Sequence, residues 1–125
     1  MIYGIGTDIV SVERIGQLLA RHPARGLAHL LHPQEQQEAL QAPMSDRFVA
    51  KRFAAKEALG KALGTGIRHP LVLPEIGITH DALGKPSFVF SPALAAYFAQ
   101  RKMTTHLSIS DEHDYAVAFV LLETS

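Results

Sequence analysis

Two carboxylates stand out for the company they keep. Asp8 interrupts the apolar run Ile5-Gly6-Thr7-Asp8-Ile9-Val10, and Glu57 is the only acid among six basic residues between Arg47 and Arg68. Lys61 follows Glu57 by four positions, so on a helix the two share a face. Each feature has two readings. Asp8 is either a turn or cap residue before the first helix or a ligand for a hard cation. Glu57 and Lys61 are either a surface pair worth a few tenths of a kcal/mol or part of a site. One Asp and one Glu suit Mg²⁺, which takes one or two carboxylates and completes its shell with water and phosphate oxygens. Beside Arg52, Lys56 and Lys61 they would supply a metal and the cations that phosphoryl transfer needs. Gly64-Thr65-Gly66 follows at once, and its backbone N–H groups are candidates to approach a phosphate. It is not a Walker loop, because the glycines come after the helix.

These residues need a frame. Residues 2–9 read as a strand whose two glycines imply close backbone approach. Ser11 can cap a helix to about His22, with Val12, Ile15, Leu18 and Leu19 as its apolar face. Pro23 ends that helix or starts a short one through Leu31. Another begins near Pro33 and ends by Pro43. Ser45 is the expected cap of the longest helix, which runs to about Leu63 and stops at Gly64. Its Ala and Gly positions leave room for something to lie against it. Val72–Thr79 reads as a strand with an edge position or a late start because of Pro74. Asp81 to Pro86 is a turn, and Ser87–Phe90 a second strand. Ser91-Pro92 opens a helix to about Lys102. Strands follow at Thr104–Ser110 and Tyr115–Glu123. The order is that of an α+β fold with a mainly antiparallel sheet and one long helix packed on it.

The chain has 125 residues, 47% hydrophobic and 19% charged, which suits a single globular domain over residues 1–125. Twelve basic and twelve acidic side chains give zero net charge, which argues against a nucleic-acid partner held by global charge. With no cysteine there is no disulfide scaffold, thiolate site or cysteine nucleophile. No apolar run is long enough to span a bilayer, and the N-terminus lacks a basic signal region, so the expectation is a cytoplasmic protein with no membrane partner. The charge is uneven. Arg14, Arg21 and Arg25 lie in a stretch without acids, and from His69 onward six acids face three bases. That asymmetry suits local anionic partners.

Together, Ile5-Gly6-Thr7-Asp8-Ile9, the block Arg52-Phe53-Ala54-Ala55-Lys56-Glu57-Ala58 with Lys61, Gly64-Thr65-Gly66-Ile67 and Gly84-Lys85-Pro86 resemble the holo-[acyl-carrier-protein] synthases, the small bacterial type of 4′-phosphopantetheinyl transferase. The Arg-Phe-x-x-Lys-Glu-Ala block is the specific part. The resemblance implies transfer of the phosphopantetheine arm of coenzyme A, the co-substrate, to a serine of apo-acyl carrier protein, with release of adenosine 3′,5′-bisphosphate. It implies Mg²⁺ on Asp8 and Glu57, Lys61 on the pyrophosphate, and Arg52 and Lys56 near the coenzyme A phosphates. Gly64, Thr65, Gly84, Lys85 and Pro86 would border the nucleotide. Glu57 is the favoured general base, directly or through a bound water. His106 matches a histidine of the family and is either a ligand contact or a structural residue. Many relatives carry a second histidine where this chain has Asp111. Family members of this length form trimers with active sites between subunits.

Arg14, Gln17, Arg21 and Arg25 match the carrier-docking helix of that family; by composition alone they would be a solvated basic face. The rival reading is a non-catalytic module that binds an acidic helical protein. It requires the basic helix but neither Asp8 nor Glu57.

Overall fold

In the computed structural model, which describes residues 1–42 and 45–125, the chain runs β1 (Ile2–Ser11), α1 (Val12–Arg21), α2 (Pro23–Leu30), α3 (Pro33–Gln41), α4 (Ser45–Leu63), a 3₁₀ turn (Leu73–Glu75), β2 (Ile76–His80), β3 (Pro86–Phe90), α5 (Pro92–Gln100), β4 (Met103–Asp111) and β5 (Tyr115–Thr124). β1, β5 and β4 form an antiparallel three-stranded sheet in that order, while β2 and β3 pair as a separate hairpin. The expected antiparallel sheet is thus divided in two.

The 19-residue α4 lies on the inner face of the larger sheet. Ala50, Ala54, Ala55, Ala58 and Ala62 of α4 are buried, as are Ala116, Ala118, Val120 and Leu122 of β5. Small side chains on both sides let the helix settle close to the strands. β1 approaches most closely. A Cβ on Gly6 would fall on the carbonyl oxygen of Ala58, and one on Gly4 on that of Ala62. The room along α4 that its small residues suggested is filled by β1.

The local signals act as their chemistry requires. The Ser11 hydroxyl accepts the N–H of Arg14 and starts α1. Gly64, at φ +89°, ends α4 in the left-handed region, with the N–H groups of Gly64 and Gly66 both donating to Gly60 O. Those N–H groups close the helix and are not free to hold a phosphate. Pro74 delays β2, which begins at Ile76 after the 3₁₀ turn. Pro86 opens β3 opposite His80, an end position that tolerates a missing donor. α5 ends at Gln100, two residues short of the expected end. α4 already includes Ser45, and the neighbouring Pro43, where the preceding helix was expected to end, lies outside the described residues.

The outer face of the larger sheet is apolar and open. Tyr3, Ile5 and Ile9 of β1 and Tyr115, Val117 and Phe119 of β5 are all exposed there.

Candidate active site

β1 carries Asp8 along the flank of α4, where Lys61 meets it. Lys61 Nζ donates to Asp8 Oδ1 at 3.0 Å and to Thr7 O at 3.0 Å. Glu57 stands one turn earlier on α4. Burial pushes its carboxyl up from the ordinary value, the charge of Asp8 adds to the rise, and Lys61 partly offsets it. A carboxyl held up by burial and by a neighbouring acid is one that a divalent cation would relieve. The donor set is two hard oxygens, and no cluster of three His, Asp or Glu side chains forms among the described residues. That composition fits Mg²⁺, which would retain water and phosphate oxygens in its other positions.

Asp8 and Glu57 line a cleft of about 440 Å³ between β1, α1 and α4. Arg14, Gln17 and Arg21 project from α1 into the same cleft, and Ile15, Leu18, Leu30 and Phe53 supply its apolar surface. The residues proposed from the sequence for metal and for partner therefore share one depression. Arg25 does not join them. It lines an adjoining groove with His22, His29 and Pro74.

Other candidates separate from this cleft. Lys56 is fully buried, and its Nζ donates to Glu35 Oε1 at 2.7 Å, Leu30 O at 2.8 Å and Leu73 O at 3.2 Å. Its donors are all engaged, so its expected place beside a coenzyme A phosphate does not match this geometry. Arg52 is also buried, stacked over the Phe48 ring at 3.7 Å, with Nε 3.8 Å from Glu35 Oε2 and without a hydrogen-bond partner. Gly84, Lys85 and Pro86 form the β2–β3 turn, where the Asp81 carboxylate accepts the N–H groups of Leu83 and Lys85. Gly84 and Pro86 border a pocket of about 190 Å³ with Lys51, His80, Ile109 and Asp111. Asp111 lies 3.6 Å from Arg47 and 3.9 Å from Lys51. The hydroxyl of Thr65 donates to Gly66 O. His106, on the open face of the sheet, is 2.6 Å from Glu123 Oε1.

Glu35 went unnoticed in the sequence, although a signal was present. It stands three residues after His32 at the start of α3, the spacing of a capping box, and does accept the His32 N–H. Nothing in the spacing links it to Lys56, which is 21 residues away.

The family model for the 4′-phosphopantetheinyl transferase superfamily matches residues 4–120. This chain belongs to that superfamily. It is 54% identical over 123 residues to the holo-[acyl-carrier-protein] synthase of Dechloromonas aromatica, covering 98% of each chain. The crystal structure of the synthase from Neisseria meningitidis superimposes with a TM-score of 0.95 at 48% identity, over 99% of this chain and 100% of that one. The Bacillus anthracis synthase in complex with CoA (3′,5′-ADP) gives 0.83 at 37% identity, over 100% and 99%. The protein is an enzyme of the phosphopantetheinyl transferase class.

Proposed function

We propose that the enzyme moves the 4′-phosphopantetheine arm of coenzyme A to a serine hydroxyl of apo-acyl carrier protein, with Mg²⁺ bound by Asp8 and Glu57. The observation that carries this reading is the shared cleft. Asp8 and Glu57 line it with Arg14, Gln17 and Arg21, so a phosphate-directed site adjoins a face suited to an acidic protein. The serine oxygen forms a bond to the phosphorus that bears pantetheine. The bond from that phosphorus to the bridging oxygen breaks, and adenosine 3′,5′-bisphosphate leaves. Glu57, with its raised pKa, is suited to take the serine proton, directly or through a water. Lys61, with 54% of its side chain exposed beside Asp8, is placed to balance charge growing on the pyrophosphate oxygens. A cation held by the two carboxylates would supply further charge neutralisation at the pyrophosphate.

In this reading the pocket beside Gly84, Lys85 and Pro86 borders the nucleotide, with Gly64 and Thr65 nearer the end of α4. The arginines of α1 meet the carrier's acidic surface. The open apolar face supports a homotrimer, because stacking such sheets would bury Ile5, Ile9 and Phe119 and bring His106 to a subunit boundary. The activity belongs to fatty acid biosynthesis in the cytoplasm. The test is mass spectrometry of apo-carrier protein incubated with the enzyme, coenzyme A and Mg²⁺. Addition of one phosphopantetheine that disappears with EDTA is expected. Tight binding of the carrier with no mass change would instead favour the non-catalytic module.

A further inference from the structure

The buried cation of α4 is the strongest feature that the proposed reaction leaves unused. Lys56 has no exposed surface, and its three donor contacts reach three parts of the fold. Leu30 O is the last carbonyl of α2, a position without an acceptor role inside its own helix. Leu73 O opens the 3₁₀ turn. Glu35 Oε1 also accepts the His32 N–H at 3.1 Å at the start of α3, and Glu35 Oε2 accepts the Ile78 N–H at 2.9 Å from β2. One ion pair thus joins α2, α3, α4, β2 and the turn before β2.

What those contacts hold in place is a wall. The side chain of Leu30 lines the cleft beside Asp8 and Glu57. It also lines the adjoining groove of about 520 Å³, together with Leu18, Arg25 and Pro74. Leu30 and Pro74 are, respectively, one tethered residue and the neighbour of the other. A buried ion pair is a weak source of net stability, since an apolar pair of similar volume does as well or better. Its distinguishing property is direction: an ammonium with three donors fixes two carbonyls from separate elements at once.

We propose that Lys56, compensated by Glu35, is a positioning residue that holds Leu30 and the turn at Leu73–Pro74 against α4, and so shapes the wall on which the carrier protein docks. This rests on the carrier reading above. The proposal makes Lys56 a determinant of carrier recognition and removes it from the coenzyme A phosphates, for which it has neither surface nor a free donor.

The test is steady-state kinetics on the intact enzyme with apo-carrier protein and coenzyme A varied separately, alongside thermal melts. Lys56→Met takes from Glu35 its hydrogen-bonded ammonium and leaves Arg52 Nε, at 3.8 Å, as the remaining cation, so it should melt earlier. Glu35→Gln/Lys56→Met removes one charge of each sign and is close in shape, but takes the carboxylate from Arg52, so it should recover only part of that loss. In the double variant the KM for carrier should remain about tenfold raised, while the KM for coenzyme A stays within about twofold. Recovery of the carrier KM along with the melting temperature would make the pair merely structural and overturn the proposal. A rise confined to the coenzyme A KM would overturn it too, by returning Lys56 to the phosphates. Glu35→Gln alone leaves Lys56 its two carbonyl tethers and should keep the carrier KM; a tenfold rise there would place the effect in the charge and sink the tether argument. A wild-type enzyme that transferred nothing would remove the functional reading, whereas an active one without the KM split removes only this inference.

Discussion

Lys56 and Lys61 are the same residue type, five positions apart on one helix, and the fold uses them in opposite ways. Lys56 is enclosed, with an acid and two carbonyls on its three donors. Lys61 is half exposed, donates to Asp8 Oδ1 and Thr7 O, and lines a separate pocket with Ile5, Gly6 and Phe119. The glutamates near them differ likewise. Both oxygens of Glu35 accept backbone N–H groups, whereas Glu57 has its ionisation made harder by burial and by Asp8. A group already satisfied by its own fold has little left for a ligand. A group held at some electrostatic cost is the one a metal or substrate can relieve.

The comparison breaks first at the acids. Asp8→Ala and Glu57→Ala are each expected to lower transfer by at least about 10³-fold, since each removes half of the hard-oxygen pair on which the proposed cation would depend. Their melting temperatures should change little, because neither side chain satisfies a buried backbone group. Near-normal turnover that still requires Mg²⁺ would show that the residue replaced is not a ligand.

The two lysines are the next place to press. Lys61→Ala should cut kcat by about 10²-fold with little change in the KM for coenzyme A, since the charge it meets grows toward the transition state. Its stability cost should be under about 1 kcal/mol, as for other exposed pairs. Lys56→Met should reverse that pattern, costing up to about 3–5 kcal/mol in denaturant unfolding because Glu35 loses its hydrogen-bonded cation and keeps only Arg52 at 3.8 Å. If both variants lost kcat at unchanged stability, the division between the two lysines would fail.

The same contrast marks what the sequence made legible. Asp8, Glu57 and Lys61, which the fold brings together, stand out in the sequence because the run Ile5–Val10 has a single acid, the segment Arg47–Arg68 has another, and helical period links Glu57 to Lys61. Most element boundaries were legible too, through Ser11, Pro33, Gly64 and Pro92, which act within a turn of where they stand. Lys56 misled because its role depends on Glu35, Leu30 and Leu73, which only tertiary folding brings together. The glycines of β1 were read correctly as a sign of close approach. The small residues of α4 signal a close neighbour without naming it, and that neighbour is the same strand. Local chemistry shows in a sequence, while the satisfaction of a buried group by distant backbone does not.

A smaller effect should separate the two ends of the arginine face. Arg14 shares the cleft with Glu57, whereas Arg25 lies in the next groove. Arg14→Glu should raise the KM for carrier about tenfold, and Arg25→Glu by less, with coenzyme A binding unchanged. Wild-type activity should fall as salt rises, because exposed charges are screened beyond a Debye length of about 10 Å at 0.1 M. Arg14→Glu should lose part of that slope. Equal effects of the two reversals would mean that carrier docking does not distinguish the cleft from the groove.

The smallest expected signal tests whether Glu57 is held at a cost. Its pKa in the folded protein lies above the ordinary carboxylate value, with burial as the first cause and Asp8 as the second. Between the unfolded and folded values the native state therefore holds more protons than the unfolded chain. Stability from this group is then present at low pH and is lost as pH rises from the ordinary value to the raised one. Glutamine does not titrate, so Glu57→Gln should escape that loss. In EDTA at neutral pH the variant should melt about 1–3 °C higher than wild type, a modest gain because Glu57 is only partly buried. Well below the ordinary carboxylate value the difference should disappear. Adding Mg²⁺ should raise the melting temperature of the wild type and leave the variant unmoved, since a ligand stabilises only a native state that binds it. A variant that melts lower than wild type in EDTA at neutral pH would show that Glu57 is satisfied by its own fold, as Glu35 is, and the distinction between the two acids would be lost.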